Sequence, residues 1–190
     1  MIENRTVLTE LDSAIGDGDL GVTMEKGFVA AAETARELSA EEPGSVLMKA
    51  GMAIAKSAPS TTGTLLATGL MRGGKAVAGK PELSVPDMKV FLAAFLQGVM
   101  DRGKTKPGEK TLVDILVPAV SAMESYEGDD AAQAWKQAEE GAARGVEAAK
   151  ALESQRGRAA IFREKTIGLE DPGGRAAYIL IKSFADALGA

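Results

Sequence analysis

The sequence predicts an all-α fold, an up-and-down bundle of antiparallel helices, on three observations. Apolar residues recur at the 3.6-residue period over most of the chain, alternating β-branched strand patterns are essentially missing, and the connections between periodic segments are short and rich in Gly, Pro or charge. The first helix is expected over Ile2 to Ser13 and the second over Val22 to Leu38, separated by Gly16-Asp17-Gly18-Asp19. Helices over Ser45 to Lys56 and Gly63 to Val77 follow, the third beginning after the Glu41-Glu42-Pro43-Gly44 turn. From Pro86 to Lys104 the residues Met88, Phe91, Leu92, Phe95, Leu96 and Val99 form one continuous stripe. Pro86 suits the first turn of that helix, and Asp87 suits the positive end of its dipole.

A sixth helix is expected over Thr111 to Met123. A seventh covers Ala131 to Leu152, where Trp135, Ala138, Ala142, Val146 and Ala149 share a face whose small residues allow close helix approach. The last, Ala176 to Leu188, is apolar on most sides and is expected to be surrounded by other helices. No repeat, low-complexity tract or linker marks a boundary, so 1–190 is read as a single domain. At 190 residues it is long enough to bury a full core.

Composition narrows the chemistry. Apolar residues make up 45% and charged residues 26%, and with no cysteine the chain has neither disulfides nor thiolate metal sites. No basic leader with an apolar core precedes the first helix, and no run of about 20 uncharged apolar residues occurs, so a cytoplasmic protein that neither spans nor anchors in a membrane is expected. The net charge of −5 argues against a nucleic-acid partner. The absence of histidine removes the commonest general base and the commonest zinc ligand, leaving carboxylates, hydroxyls, Lys, Arg or a bound metal to carry any reaction.

The sharpest local feature is Leu11 to Gly21, a helix end running into a turn with Asp12, Asp17 and Asp19 and three glycines. Three converging carboxylates repel one another unless a hard cation such as Mg²⁺ neutralises them. The same residues also suit an ordinary solvated turn. A calcium EF-hand starting at Asp17 is excluded, because its glycine and bidentate glutamate positions fall on Val22 and Phe28. Gly69 to Ala76 imitates a P-loop but has Ala76 at the Ser/Thr position and follows a helical stretch, so it reads as a helix end with glycine capping. Ser60-Thr61-Thr62-Gly63-Thr64 and Leu20-Gly21-Val22-Thr23 each open a helix, an arrangement that serves capping and phosphate binding alike. Arg156-Gly157-Arg158 is a basic cluster in which Arg158 can balance phosphate charge, or simply stay solvated. Asp171-Pro172-Gly173 reads as a rigid turn.

In this order and spacing the segments resemble the nucleotide-binding L subunit (DhaL) of dihydroxyacetone kinase and the equivalent domain of single-chain kinases. The resemblance spans almost the whole chain and rests on three groups of residues: Leu11-Asp12 with Gly16 to Asp19, Pro107-Gly108-Glu109-Lys110-Thr111-Leu112-Val113-Asp114, and Gly157-Arg158-Ala159 with Gly168 through Gly173. It implies an antiparallel barrel of about eight helices and a pair of Mg²⁺ ions held by Asp12, Asp17 and Asp19. It further implies ATP or ADP lined by Leu20, Gly21, Val22, Thr23, Thr61, Thr62, Gly103, Leu112, Arg158, Asp171, Pro172 and Gly173, with Arg158 acting in phosphoryl transfer. The substrate, a short ketose, would be held by a separate K-type subunit through a histidine that this chain lacks.

Some positions depart from the family pattern. Leu20 stands where members commonly have His or Cys, Pro59 to Gly63 replaces a Gly-Gly-Ala/Ser-Ser-Gly run, Leu169 replaces a frequent histidine, and the first helix is expected to be short. These differences suit another short ketose or a sugar acid as well as dihydroxyacetone. Both free ATP and a tightly held ADP recharged by a phosphocarrier subunit are compatible donors, and a homodimer is compatible too. Two neighbouring readings are a Mg·ADP sensor that binds a transcription regulator and the nucleotide domain of a fatty-acid-kinase-like system.

Overall fold

A computed structural model describes residues 1–189 and is entirely helical among them. Eight α-helices follow one another: α1 (Arg5–Ile15), α2 (Leu20–Glu37), α3 (Pro43–Ser57), α4 (Thr61–Ala76), α5 (Val85–Gly103), α6 (Leu112–Ser125), α7 (Ala131–Ala149) and α8 (Pro172–Ala187). Short 3-10 segments cover Ile2–Asn4 and Arg158–Thr166. The chain groups into two compact units. One contains Glu3–Gly21 and everything from Thr105 onward, with Met1; the other contains Val22–Lys104, with Ile2. The first junction falls inside α2, where no change of composition could mark it.

In the Val22–Lys104 unit, α3 packs on α4 and α4 on α5, and the brief connections between them make consecutive helices antiparallel. Each helix start has a local cause. The Glu42 carboxylate accepts the Gly44 N–H at 2.8 Å ahead of Pro43, and the Ser60 hydroxyl accepts the Gly63 N–H at 3.1 Å. At α5, Ser84 and Asp87 form a reciprocal capping box. The expected stripe of α5 is buried at Phe91, Leu92, Phe95 and Val99. The glycines that imitate a P-loop are neither a phosphate loop nor a cap: they lie within α4, where Gly69 and Gly73 face the rings of Phe95 and Phe91, and a Cβ on Gly74 would lie 2.6 Å from the Gly44 carbonyl. They are small because two helix backbones meet there.

In the other unit α6 packs on α7, and α8 packs on α1, α6 and α7. The small face expected on α7 is buried, with Ala134, Ala138, Ala142 and Ala149 inside, and a Cβ on Gly145 would press on Pro118 and the Asp114 carbonyl of α6. Trp135 stacks on Phe184 of α8 with centroids 4.6 Å apart. Two expectations need correction. Helix α8 begins at Pro172, four residues before the expected Ala176, because Asp171 is its N-cap and Pro172 fits N1; Asp-Pro-Gly is thus a helix start rather than a free turn. The 3-10 segment Arg158–Thr166 was not expected, since its apolar residues show no helical period. Among the described residues no helix is long and apolar enough to cross a membrane.

Candidate functional site

Helix α1 ends at Ile15 and α2 begins at Leu20, so Gly16 to Asp19 must reverse the chain in four residues. Gly18 does so with φ +74°, a conformation that side chains rarely adopt, and a Cβ on Gly16 would collide with the Asp12 carboxylate. Gly21 is equally constrained, because a Cβ there would strike the Arg5 carbonyl and the Thr9 hydroxyl of α1. The glycines therefore let α2 start against α1 and fold the acidic turn back over the end of that helix.

The result is convergence. Asp12, Asp17 and Asp19 each present a carboxylate oxygen within 4.8 Å of the other two, Asp12 half-buried and the others exposed. One oxygen of Asp12 accepts the Leu20 N–H at 3.2 Å, which caps α2 and fixes the carboxylate while its second oxygen remains for a ligand. The Arg158 guanidinium, two-thirds exposed, pairs with Asp17. An all-oxygen, all-carboxylate donor set of this compactness suits Mg²⁺ or another hard divalent cation, and it offers nothing to a soft one. The three sequence-predicted metal ligands and Arg158 are thus brought together by the fold.

Asp171 lies at the N-terminus of α8 and accepts the Gly174 N–H at 2.6 Å. Burial pushes its carboxyl up to about 7; the Gly174 N–H and Lys110 act in the opposite direction, while the negative charges of Asp114 and Asp12 add to the rise. The charge of Asp12 therefore reaches Asp171. Leu112, the first residue of α6, is buried. In the Val22–Lys104 unit, Thr61 and Thr62 open α4, Val22 and Thr23 lie in the first turn of α2, and Gly103 ends α5 before Lys104 turns left-handed at φ 50°.

A further set of residues belongs to the Pro107-to-Asp114 motif, whose sequence gives its members no separate roles. Thr111 and Asp114 form the capping box of α6, and the Asp114 carboxylate also accepts the Gly108 N–H at 2.6 Å. Glu109, 4% exposed, takes a two-pronged bond from Arg156 at 2.8 and 2.9 Å. Its carboxyl lies below the usual range, first because of Arg156, and the Arg156 guanidinium is raised by the same bond. Lys110 is 1% exposed and donates to the carbonyls of Lys150, Leu152 and Thr166. Burial lowers its ammonium and the Asp171 charge opposes that. Two charged residues side by side just before a helix were the only sequence signal for this network.

The model of the DAK2 domain family matches residues 14–186. The ADP-binding subunit DhaL of a PEP-dependent dihydroxyacetone kinase from Escherichia coli (strain K12) is 28% identical over 94% of this chain and 86% of its own length. Its counterpart in dihydroxyacetone kinase 1 of Listeria innocua is 31% identical over 94% and 85%. The L-erythrulose kinase of Pectobacterium atrosepticum is 30% identical over 99% of this chain, which spans about a third (32%) of that protein. Among solved structures, the dihydroxyacetone kinase of C. freundii in complex with AMP-PNP and Mg²⁺ shares the fold, with a TM-score of 0.65 and 22% identity over 97% of this chain and 31% of that one.

Proposed function

The chain belongs to the DAK2 domain family, and on that footing we propose that it is the Mg-nucleotide-binding subunit of a dihydroxyacetone-type kinase. In this reading it delivers a phosphoryl group to a short ketose held by a separate K-type subunit. One observation carries the proposal: Asp12, Asp17 and Asp19 converge within 4.8 Å, with Arg158 beside them. The kinase and ADP-binding names of the relatives support it, as does the match of one family domain across both compact units, which favours reading 1–190 as a single domain.

Asp12, Asp17 and Asp19 would hold Mg²⁺, two ions by the family resemblance. Bound Mg²⁺ supplies neutralisation of the phosphate oxygens, which in phosphoryl transfer does most of what a protein must do. Asp12 orients the start of α2 through the Leu20 N–H, and the remaining first-turn N–H groups, Gly21 to Thr23, are natural phosphate donors beside Leu20. Arg158, paired with Asp17, balances the charge of the bound phosphates, those of ADP included, and of the transferred group. Asp171 to Gly173 and the buried Leu112 shape the wall on the base side. Thr61, Thr62 and Gly103 are assigned to the nucleotide on the family resemblance. The PEP-dependent, ADP-binding designation of the bacterial relatives supports tightly held ADP, recharged by a phosphocarrier subunit, as the donor. A cytoplasmic location accords with that supply.

Calorimetric titration with ADP and ATP, each with and without Mg²⁺, tests the reading. Binding is expected to need the metal, and Asp17→Ala and Asp19→Ala are expected to lose it while keeping the helical far-UV signature. Unchanged affinity in both variants would sink the assignment.

A further inference from the structure

Arg158 has to reach a phosphate from a poor platform. Its side chain is 67% exposed, it follows Gly157 at φ +64°, and the residues between α7 and Arg158 form no regular structure. An arginine on such a stretch would lose most of its charge-balancing value to chain entropy unless something fixed the stretch in advance. The motif Pro107 to Asp114 does so. Asp114 and Thr111 account for the start of α6, but the side chains of Glu109 and Lys110 reach across to the segment that carries Arg158 and hold it at both ends.

At the near end, Glu109 receives the fork of Arg156, two residues from Arg158, at 2.8 and 2.9 Å, and its carbonyl accepts the Gln155 N–H at 3.1 Å. The Gln155 side chain donates to the Gly108 carbonyl at 3.2 Å, and the Lys106 N–H, 3.2 Å from the carboxylate, keeps Glu109 in place. At the far end, Lys110 gathers the carbonyls of Lys150, Leu152 and Thr166. The Thr166 hydroxyl accepts the Ser154 N–H at 2.9 Å, which ties the two ends together. Helix packing alone does not call for a charged pair of this kind, since apolar residues of similar volume stabilise about as well. What the paired fork adds is a single geometry for the residues attached to it.

The structure assigns to Glu109, acting through Arg156, the role of a positioning residue that sets Arg158 over the acidic triad; this rests on the nucleotide reading above. The test is a double-mutant cycle on Mg·ADP affinity, measured calorimetrically on the full chain for the wild type, Glu109→Gln, Arg158→Ala and the double variant. Arg156→Lys, which keeps the charge but loses the fork, is measured alongside, and urea midpoints confirm folding. Glu109→Gln and Arg156→Lys are expected to weaken binding about tenfold, within the range of coupled neighbours, yet to cost nothing further once Arg158 is alanine. A merely structural role would weaken the Arg158→Ala background by the same factor, and that additivity would overturn the proposal. Wild-type affinity in Arg158→Ala, or in both Glu109→Gln and Arg156→Lys, would overturn it too. Asp17→Ala, run in parallel, separates the two readings: normal Mg·ADP binding there refutes the nucleotide site itself, whereas its loss beside an additive cycle refutes only the positioning role.

Discussion

Asp171 offers a pH-dependent handle on the N-terminus of α8. Its carboxyl is pushed up to about 7 from an ordinary 3.8, burial being the first cause. The folded protein therefore binds a proton that the unfolded chain releases across the window from about 4 to about 7. Stability from this group is highest below the unfolded value, falls as pH rises through the window and is flat above it. At about 1.4 kcal/mol per pH unit the full difference is a ceiling of about 4 kcal/mol at pH 8. Because Asp171 is only half-buried by surface area, water screens part of that, and about 1–2 kcal/mol is expected. Asp171→Asn removes the titration while keeping an oxygen that can accept the Gly174 N–H and cap α8. Urea unfolding in metal-free buffer at pH 5.5 and pH 8 is the assay. Only the stretch from pH 5.5 to about 7 is crossed, so the variant should gain on the wild type between the two pH values by about half of that, about 0.5–1 kcal/mol, with all other titrating groups cancelling in the difference. Parallel pH profiles for the two proteins would refute the argument.

Three further expectations follow from the packing. Lys110→Met should cost about 3–5 kcal/mol in urea unfolding, because it strands three carbonyls that the ammonium serves in a buried site; a loss below about 1 kcal/mol would show that water takes its place. Gly74→Ala should cost about 1–3 kcal/mol, since its Cβ would lie 2.6 Å from the Gly44 carbonyl and 2.9 Å from the Met48 nitrogen, both backbone atoms that cannot rotate away. Asp87 is held down to about 2, first by its hydrogen bond to Lys80 and then by Ser84; in Lys80→Met its titration, followed by NMR, should move towards 3.8 while helix α5 persists.

Much of the fold was legible because it is written in local terms. The stripe from Met88 to Val99 could be buried only by a helix, and Ser84, Thr111 and Asp130 each mark a helix start with their own side chains. The acidic turn was legible for a related reason: Asp12, Asp17 and Asp19 lie within eight residues, and glycines at 16, 18 and 21 leave the backbone few other ways to turn. Local chemistry also misled. Asp171-Pro172-Gly173 obeys the rules for a turn and for a helix start equally, and only the packing of α8 against α1, α6 and α7 selects the second. The glycines of α4 follow the pattern of a helix cap, and a sequence cannot show that Phe91, Phe95 and Gly44 stand opposite them.

What the sequence by itself determined was therefore the helical period, most of the helix positions and the identity of the metal-ligand candidates, all set by interactions between residues a few positions apart. The tertiary structure alone decided which distant side chains meet. Arg158 lies 141 residues beyond Asp17 and pairs with it, Glu109 takes Arg156 from 47 residues away, and Lys110 reaches carbonyls 40 to 56 residues on. The carboxyl of Asp171 is raised by the same long-range assembly. Burial and the meeting of charges depend on how the helices pack, and no local pattern in the chain encodes either.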